Sequence, residues 1–298
     1  MLNLIKQRKI WYIVSTVLFV ASISIWFVKP PEYSIDFTGG SLLEMKFKTQ
    51  PTTQEIKDAL QGLDLKSLTV ASGQNGTDSI RMEQIDDTKR ADVVKKLQEK
   101  FPGAVQEQFN SIGPTIGREL RQKAFISIAL VALGIVLYIA YAFRKISRPV
   151  QSWKYGLAAI AALLHDITIL AGLYVFLSPY LHFEVDTLFV SALLTILGYS
   201  VSDTIVTFDR VRDNLAKGRY GDFESLVNHS LNQVLTRSLN TAMATLLPLA
   251  ALYLFGGETI KPFVFTLLFG IVIGTYSSIF IAAPLIVTWQ KYSAKKKA

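Results

Sequence analysis

Six apolar stretches, at residues 10–28, 124–143, 156–177, 188–208, 235–255 and 263–287, each run for about 20 residues with few charges. A helix needs roughly that length to cross about 30 Å of hydrocarbon. Half of the 298 residues are hydrophobic, and they come in these blocks and not in a short-period pattern. The chain therefore reads as an α-helical polytopic membrane protein with six transmembrane helices.

The net charge of +8 raises the question of a nucleic-acid partner, and its placement answers it. Residues 29–123 hold 14 Lys/Arg and 14 Asp/Glu, so the excess lies in the remaining 17 Lys/Arg against 9 Asp/Glu. Those cations flank the spans: Lys6, Arg8 and Lys9 precede the first; Arg144, Lys145, Arg148 and Lys154 join the second and third; Arg210, Arg212, Lys217, Arg219 and Arg237 lie about the fourth and fifth; Lys291, Lys295, Lys296 and Lys297 end the chain. The opposite short loops, residues 178–187 and 256–262, carry Lys261 as their only Lys or Arg. The positive-inside rule then predicts that both termini are cytoplasmic, and no nucleic acid is implied.

Cysteine is absent, so any folded region outside the membrane must hold by packing and not by disulfides. The first apolar run is longer than the 7 to 15 residues of a signal-peptide core, and Trp26, Lys29, Pro30 and Pro31 make a poor cleavage site. It reads as a retained anchor.

Residues 30–123 form the segment of globular size outside the membrane. Residues 41–48 (SLLEMKFK) alternate like a strand, and 53–60 read as a helix with Thr53 as cap and Glu55 in its first turn. Short strands are expected at 68–71 and 79–83 around a turn at 73–76. Residues 88–101, apolar at Ala91, Val94, Leu97 and Phe101, make an amphipathic helix stopped by Pro102-Gly103, and 105–109 closes as a strand. The order βαββαβ is the ferredoxin-like split βαβ arrangement, a small extracytoplasmic α+β domain. The organisation expected is thus a tail and helix 1 over 1–29, that domain over 30–123, and helices 2–6 over 124–298, ending in a basic tail. A charged cytoplasmic loop, 211–235, lies between spans 4 and 5. It reads as one or two surface helices with Phe223, Leu226, Val227 and Leu231 on an apolar face.

The most informative stretch is GYSVSDTIVTFDRVRDN, residues 198–214, which places Asp203 inside the fourth span. An ionisable group at that depth costs several kcal/mol and normally faces the bundle or water. Ser200, Asp203, Thr207 and Arg210 share one helix face, a stripe suited to proton or ion passage. The plainer reading is a hydrogen-bonded seam between helices. Arg237 opens the fifth span, with Asn240, Thr241 and Thr245 following on a polar stripe. It is the natural partner of Asp203, unless it only snorkels to cytoplasmic water. His165 and Asp166 in span 3 are a candidate relay, although adjacent residues project about 100° apart and cannot both face one point; a satisfied core histidine is the alternative. His182 and His229 read as isolated and solvated.

Gly270 and Gly274 form a GxxxG that permits close helix approach, and Pro248 is expected to kink span 5. Metal-ligand spacing, a phosphate loop and a nucleophile constellation are all missing from the sequence, so no cofactor, no metal and no catalytic set is expected.

Read in order, the segments 35–40 (IDFTGG), 112–120 (IGPTIGREL), 198–214, 236–247 (TRSLNTAMATLL) and 274–285 (GTYSSIFIAAPL) resemble the SecD/SecF family of protein-export subunits. The single outside domain and the span-4 motif favour its SecF branch. The resemblance implies a fold of the resistance-nodulation-division type in the bacterial inner membrane. It also implies work with a SecD-like subunit and the SecYEG channel on a translocating polypeptide, driven by the proton or sodium gradient. Asp203 and Arg237 match the family's ion-coupling pair, and Asp209 and Arg210 its FDR element. Asp36, Phe37, Thr38, Gly39 and Gly40, with Gly113, Pro114 and Gly117, match its motifs beside the first two spans. Ser202 and Ala244 stand where the family usually has Asn and Thr. A membrane potential supplies about 2.3 kcal/mol per charge per 100 mV, an energy source needing no nucleotide. Two other readings stay open: half of a small-molecule or lipid exporter of the same fold, and a passive membrane scaffold.

Overall fold

The structure, a computed structural model, describes residues 2–73, 76–144, 151–218 and 221–295. Lys145, Arg148, Arg219, Lys296 and Lys297 of the expected basic clusters, and the middle of the 73–76 turn, lie outside the described residues. Among the described residues, six helices are long and apolar enough to cross a membrane. The chain divides into two compact units, one of residues 1–31, 126–183 and 188–298, the other of residues 32–125 with 184–187.

The smaller unit is built on the four-stranded antiparallel sheet β1 (Gly40–Lys46), β2 (Thr69–Ser72), β3 (Thr77–Met82) and β4 (Val105–Ile112), in the order β2-β3-β1-β4. That is the ferredoxin-like order, and the hydrophobic alternation explains its register. Leu43 and Met45 of β1 and Ile80 and Met82 of β3 point inward and pack on Ile56 of α3 (Thr53–Ala59) and on Val93 and Leu97 of α4 (Asp87–Lys100). The α3 cap is Thr52, one residue earlier than expected: its hydroxyl accepts from the Glu55 amide while Glu55 accepts from the Thr52 amide at 2.8 Å.

Two sequence motifs meet beside this sheet. The short helix α2 (Ile35–Thr38) ends at Gly39, whose φ of 74° and ψ of 169° only glycine adopts readily, and Gly40 follows at φ 123°. A Cβ at Gly39 would stand 2.9 Å from Pro114 Cα, and one at Gly117 would stand 2.9 Å from the Gly39 nitrogen. The glycines of the two segments thus let backbone lie on backbone. Residues 184–187 join this unit, a link the sequence did not announce: Ser34 donates to the Val185 carbonyl, and the Val185 amide donates to Glu32 at 2.8 Å. Asp36 accepts from the Thr187 amide at 3.0 Å and from its hydroxyl at 2.6 Å, and so satisfies the first turn of α7 (Thr187–Ala216). Arg81 donates to the Tyr33 carbonyl and pairs with Glu184. Burial raises the Glu184 carboxyl above the usual range against the lowering effect of Arg81.

The larger unit holds α1 (Arg8–Val28), most of α5 (Pro114–Ala142), α6 (Ser152–Leu181), α7, α8 (Phe223–Phe255), α9 (Lys261–Ser277) and α10 (Ala283–Lys295). Between α9 and α10 the helix widens into a π turn over Ser278–Ala282. A Cβ on Gly270 would overlap Ile196 and one on Gly274 would stand 2.9 Å from Ser200 Cβ, so the GxxxG seats α9 against α7. Helix α8 runs on through Pro248.

The expected surface helix of 211–235 is not separate. Ion pairs at i,i+3 and i,i+4 (Asp209–Arg212, Arg210–Asp213, Asp213–Lys217) carry α7 to Ala216, and α8 begins at Phe223 behind the Asp222 cap. Phe223, Leu226, Val227 and Leu231 do form one apolar face, but it is buried in the bundle core with Phe208 and Val211. Hydropathy sees only the lipid-like part of a helix, and charged extensions read as loop. Glu224 pairs with Arg8 at 2.8 Å and, through its other oxygen, with Lys291, so the outer ends of α1 and α10 lie on one side of the bundle, beside the α7–α8 connection. Lipid-type exposure is left on α1, α5 and α8, for example at Val17, Leu130 and Leu254.

Candidate functional site

Helix α7 carries the polar stripe of the fourth span, and its two edges find different partners. Asp203 is half-buried. Its Oδ1 accepts from Ser238 Oγ of α8 at 2.6 Å, and its Oδ2 accepts from Ser278 Oγ at the start of the π turn. It does not face lipid alone, since it lines a cavity of about 90 Å³ with Tyr199, Ser202, Val206, Arg237, Ser238 and Thr241. A space of that size with several polar walls can hold water. Arg237 is not ion-paired to Asp203 as expected; among the described residues no ion pair or hydrogen bond reaches it. It lines the acid's cavity and also a second cleft of about 390 Å³ whose walls include Asp209, Arg210, Asp213 and Gln233. The guanidinium thus stands where a charged cleft and the cavity of Asp203 adjoin.

Ser200 departs from the expected common face. Its hydroxyl donates to Asp166 Oδ2 of α6 at 2.6 Å and not towards Asp203. Asp166 is 2 % exposed and His165 7 %. The expectation that these neighbours could not share one point is corrected: His165 Nδ1 lies 3.0 Å from Asp166 Oδ1, because both rotate into the same bundle interior and the short aspartate reaches back to the ring. Ser277 Oγ of α9 donates to Asp166 Oδ2 at 2.8 Å, so this carboxyl group bonds to side chains of α6, α7 and α9 together.

Thr207 is buried with no hydrogen-bond partner for its hydroxyl among the described residues, and Asn240 is exposed. Thr241 lines the Asp203 cavity, while Asp209 pairs with Arg212. Sequence reasoning missed Ser238, Ser277, Ser278 and Asn214; the buried Asn214 amide donates to Ser230 at 2.8 Å and Gln233 at 2.9 Å and ties α7 to α8. Serine is common in membrane helices, and only the fold shows which ones meet an acid. His182 is exposed, but His229 is partly covered and bonds to Gln233 at 2.8 Å. Among the described residues no group of three or more His, Asp or Glu converges as a metal site.

Comparison with known proteins bears on this arrangement. Residues 92–292 match the family described as protein export membrane protein SecD/SecF, C-terminal, and residues 24–51 match the SecD/SecF GG motif. The chain is similar to protein translocase subunit SecF of Thermobaculum terrenum, 40% identical over 303 residues that cover 97% of this chain and 94% of that protein. It is also similar to the subunit of the same name in Anaerolinea thermophila, 39% identical over 294 residues, 97% of this chain and 94% of the relative. A crystal structure of SecDF, a translocon-associated membrane protein from Thermus thermophilus, superposes with a TM-score of 0.85 at 31% identity, covering 97% of this chain. The chain spans 39% of that longer polypeptide.

Proposed function

This chain belongs to the SecD/SecF family of protein export membrane proteins, and from that premise we propose that it is an auxiliary subunit of the Sec export machinery. With a SecD-like partner it would use the proton or sodium gradient to drive late steps of polypeptide translocation through the SecYEG channel. In this reading it lies in the bacterial inner membrane with both termini cytoplasmic and its α+β domain outside, and it is not an enzyme. The observation that carries the proposal is the setting of Asp203, an acid within a span, held by hydroxyls from two other helices, on a small polar cavity that it shares with Arg237.

That setting suits a charge that comes and goes. Deprotonated, the carboxylate accepts hydrogen bonds from both serine hydroxyls; protonated, it must itself donate, and one hydroxyl must turn away. The energy of the charge therefore bears on α8 and on the π turn at once. Arg237 stands on the same cavity without a fixed ion pair to the acid that would lock it. An acid on an intramembrane cavity is also where an ion can arrive from water. The 2.3 kcal/mol or so that each charge gains per 100 mV then becomes available to helix movement.

The test is Asp203→Asn, which keeps size and hydrogen bonding while deleting the titratable proton. In proteoliposomes with the partner chain and the channel, gradient-dependent export and ion flux are expected to fall to background while the protein remains folded. Unchanged flux and export would leave only a scaffold role.

A further inference from the structure

Ser277 and Ser278 are consecutive, yet they serve two different carboxylates: Ser277 donates to Asp166 and Ser278 to Asp203. Each hydroxyl has a second acceptor in reach. Ser277 Oγ is 3.1 Å from the Gly274 carbonyl, and Ser278 Oγ is 3.0 Å from that of Thr275. A serine has one proton to give, so each hydroxyl chooses between a carboxylate and its own helix backbone. The pair sits where α9 passes into the π turn, whose wider winding is closed by the Ala283 amide on the Ser278 carbonyl. Single π turns of this kind are frequent at functional sites.

Asp166 is more deeply buried than Asp203. The titratable and charged groups facing it and its neighbour are few: His165 on its own helix, Tyr276 of α9 stacked on the His165 ring at 6.2 Å, and, on the Asp203 side, Tyr199 and Arg237. From α1, Ser15 and the Trp11 carbonyl bond to Tyr276, and the Trp11 ring meets it edge-on at 6.1 Å. His165 Nε2 is buried without a hydrogen-bond partner among the described residues, so the ring has an unused nitrogen facing the interior. A purely structural aspartate does not need a histidine with a free nitrogen beside it.

We infer that Asp166 is a second proton-holding carboxylate of the bundle, coupled to Asp203 through the hydroxyls of Ser277 and Ser278, with His165 as its immediate partner. A proton arriving on Asp203 gives its O–H to Ser278 Oγ, and the Ser278 proton turns to the Thr275 carbonyl. The reorientation loads the first bonds of the π turn, where Ser277 makes the same choice between Asp166 and Gly274. Ser200 of α7 also donates to Asp166 and helps to hold that carboxyl in place. No bond other than hydrogen bonds changes, and the proton count on the two acids and two serines is conserved apart from the one that enters.

This deepens the export reading and rests on Asp203 as the gradient-sensing acid, so the test separates the two. The full chain, reconstituted in lipid with its SecD-like partner, is titrated while infrared spectroscopy follows the carboxylic-acid carbonyl bands. Two interacting groups titrate as a pair, and removing one moves the midpoint of the other by about one pH unit or more. Asp166→Asn is expected to remove one band and shift the Asp203 midpoint by that amount. Ser277→Ala with Ser278→Ala is expected to keep both bands but lose the shift, and Ser277→Thr with Ser278→Thr, which keeps the hydroxyls, to restore it. An Asp203 midpoint unmoved by Asp166→Asn overturns the inference. Should that variant not fold, the serine pair decides alone, and coupling unchanged by the double alanine overturns it. Proton flux insensitive to Asp203→Asn would instead overturn the export reading, whatever the infrared midpoints show.

Discussion

Gly117 and Gly39 lie backbone against backbone: a Cβ on Gly117 would be 2.9 Å from the Gly39 nitrogen and 3.4 Å from the Asp36 carbonyl oxygen. The contact joins the start of α5 to the end of α2, two motifs 78 residues apart that sequence alone could only set side by side.

Gly39→Ala faces both a glycine-only backbone conformation and the Pro114 backbone, with no flexible side chain to yield. A loss of about 1–3 kcal/mol is expected from the conformation, plus the overlap. Denaturant unfolding of the purified protein measures it. A loss under about 0.5 kcal/mol would contradict the geometry.

Asp36→Ala removes the single oxygen, Oδ2, that accepts from both the Thr187 amide and hydroxyl at the first turn of α7. The expected cost is about 1–2 kcal/mol, in the range of a lost helix cap. Asp36→Asn keeps one acceptor oxygen and should recover part of it. Hydrogen exchange at the Thr187 amide reports the loss locally, and unchanged protection there in the alanine variant would refute the capping role.

At the crossing of α7 and α9, Gly270→Ala drives a methyl into Ile196, and overpacking of this sort costs about 1–3 kcal/mol. Adding Ile196→Ala makes room. The double variant should be more stable than the sum of the two singles implies, and a double-mutant cycle with no coupling would show that the helices are not held at this point.

Glu184 sets a pH dependence with a definite sign. Burial raises its carboxyl in the folded protein, so between the ordinary value of about 4.5 and the raised one the folded chain binds more protons than the unfolded chain. Stability contributed by this residue is therefore greatest at acid pH and falls as pH rises through that window. Glu184→Gln should flatten this part of the curve in thermal unfolding followed against pH. A difference between variant and parent that grows in the opposite direction would mean that Arg81 outweighs burial.

Much of the architecture was legible because its causes are local. Apolar length marks the six spans, and period-2 alternation at Leu43 and Met45 with a 3.6-residue pattern through Val94 and Leu97 marks the sheet and the helix that covers it, although it is Val93 that the core buries fully. What escaped is what distant segments do to each other. The annexation of residues 184–187 by the smaller unit depends on backbone pairing with Glu32 and Ser34, which leaves no trace in hydropathy. In the candidate site Asp203 and Arg237 stood out as charges in apolar runs, but the structure gives the acid two serines as partners instead of the arginine. Asp166 and His165 stood out as a candidate relay although helical geometry set the two apart, and no sequence signal marked Ser277 and Ser278 as partners of an acid. Their common meeting point depends on the crossing of three helices and on one widened turn.

The Glu224 contact with Arg8 and Lys291 has a bearing on chain architecture. Because the head of the first span and the tail of the last emerge on one face, a partner chain that presents an end on that face could be spliced in tandem by a short tether, with no further crossing of the bilayer. A two-chain assembly and a single concatenated polypeptide are then the same solution to membrane insertion, differing only in whether that tether exists.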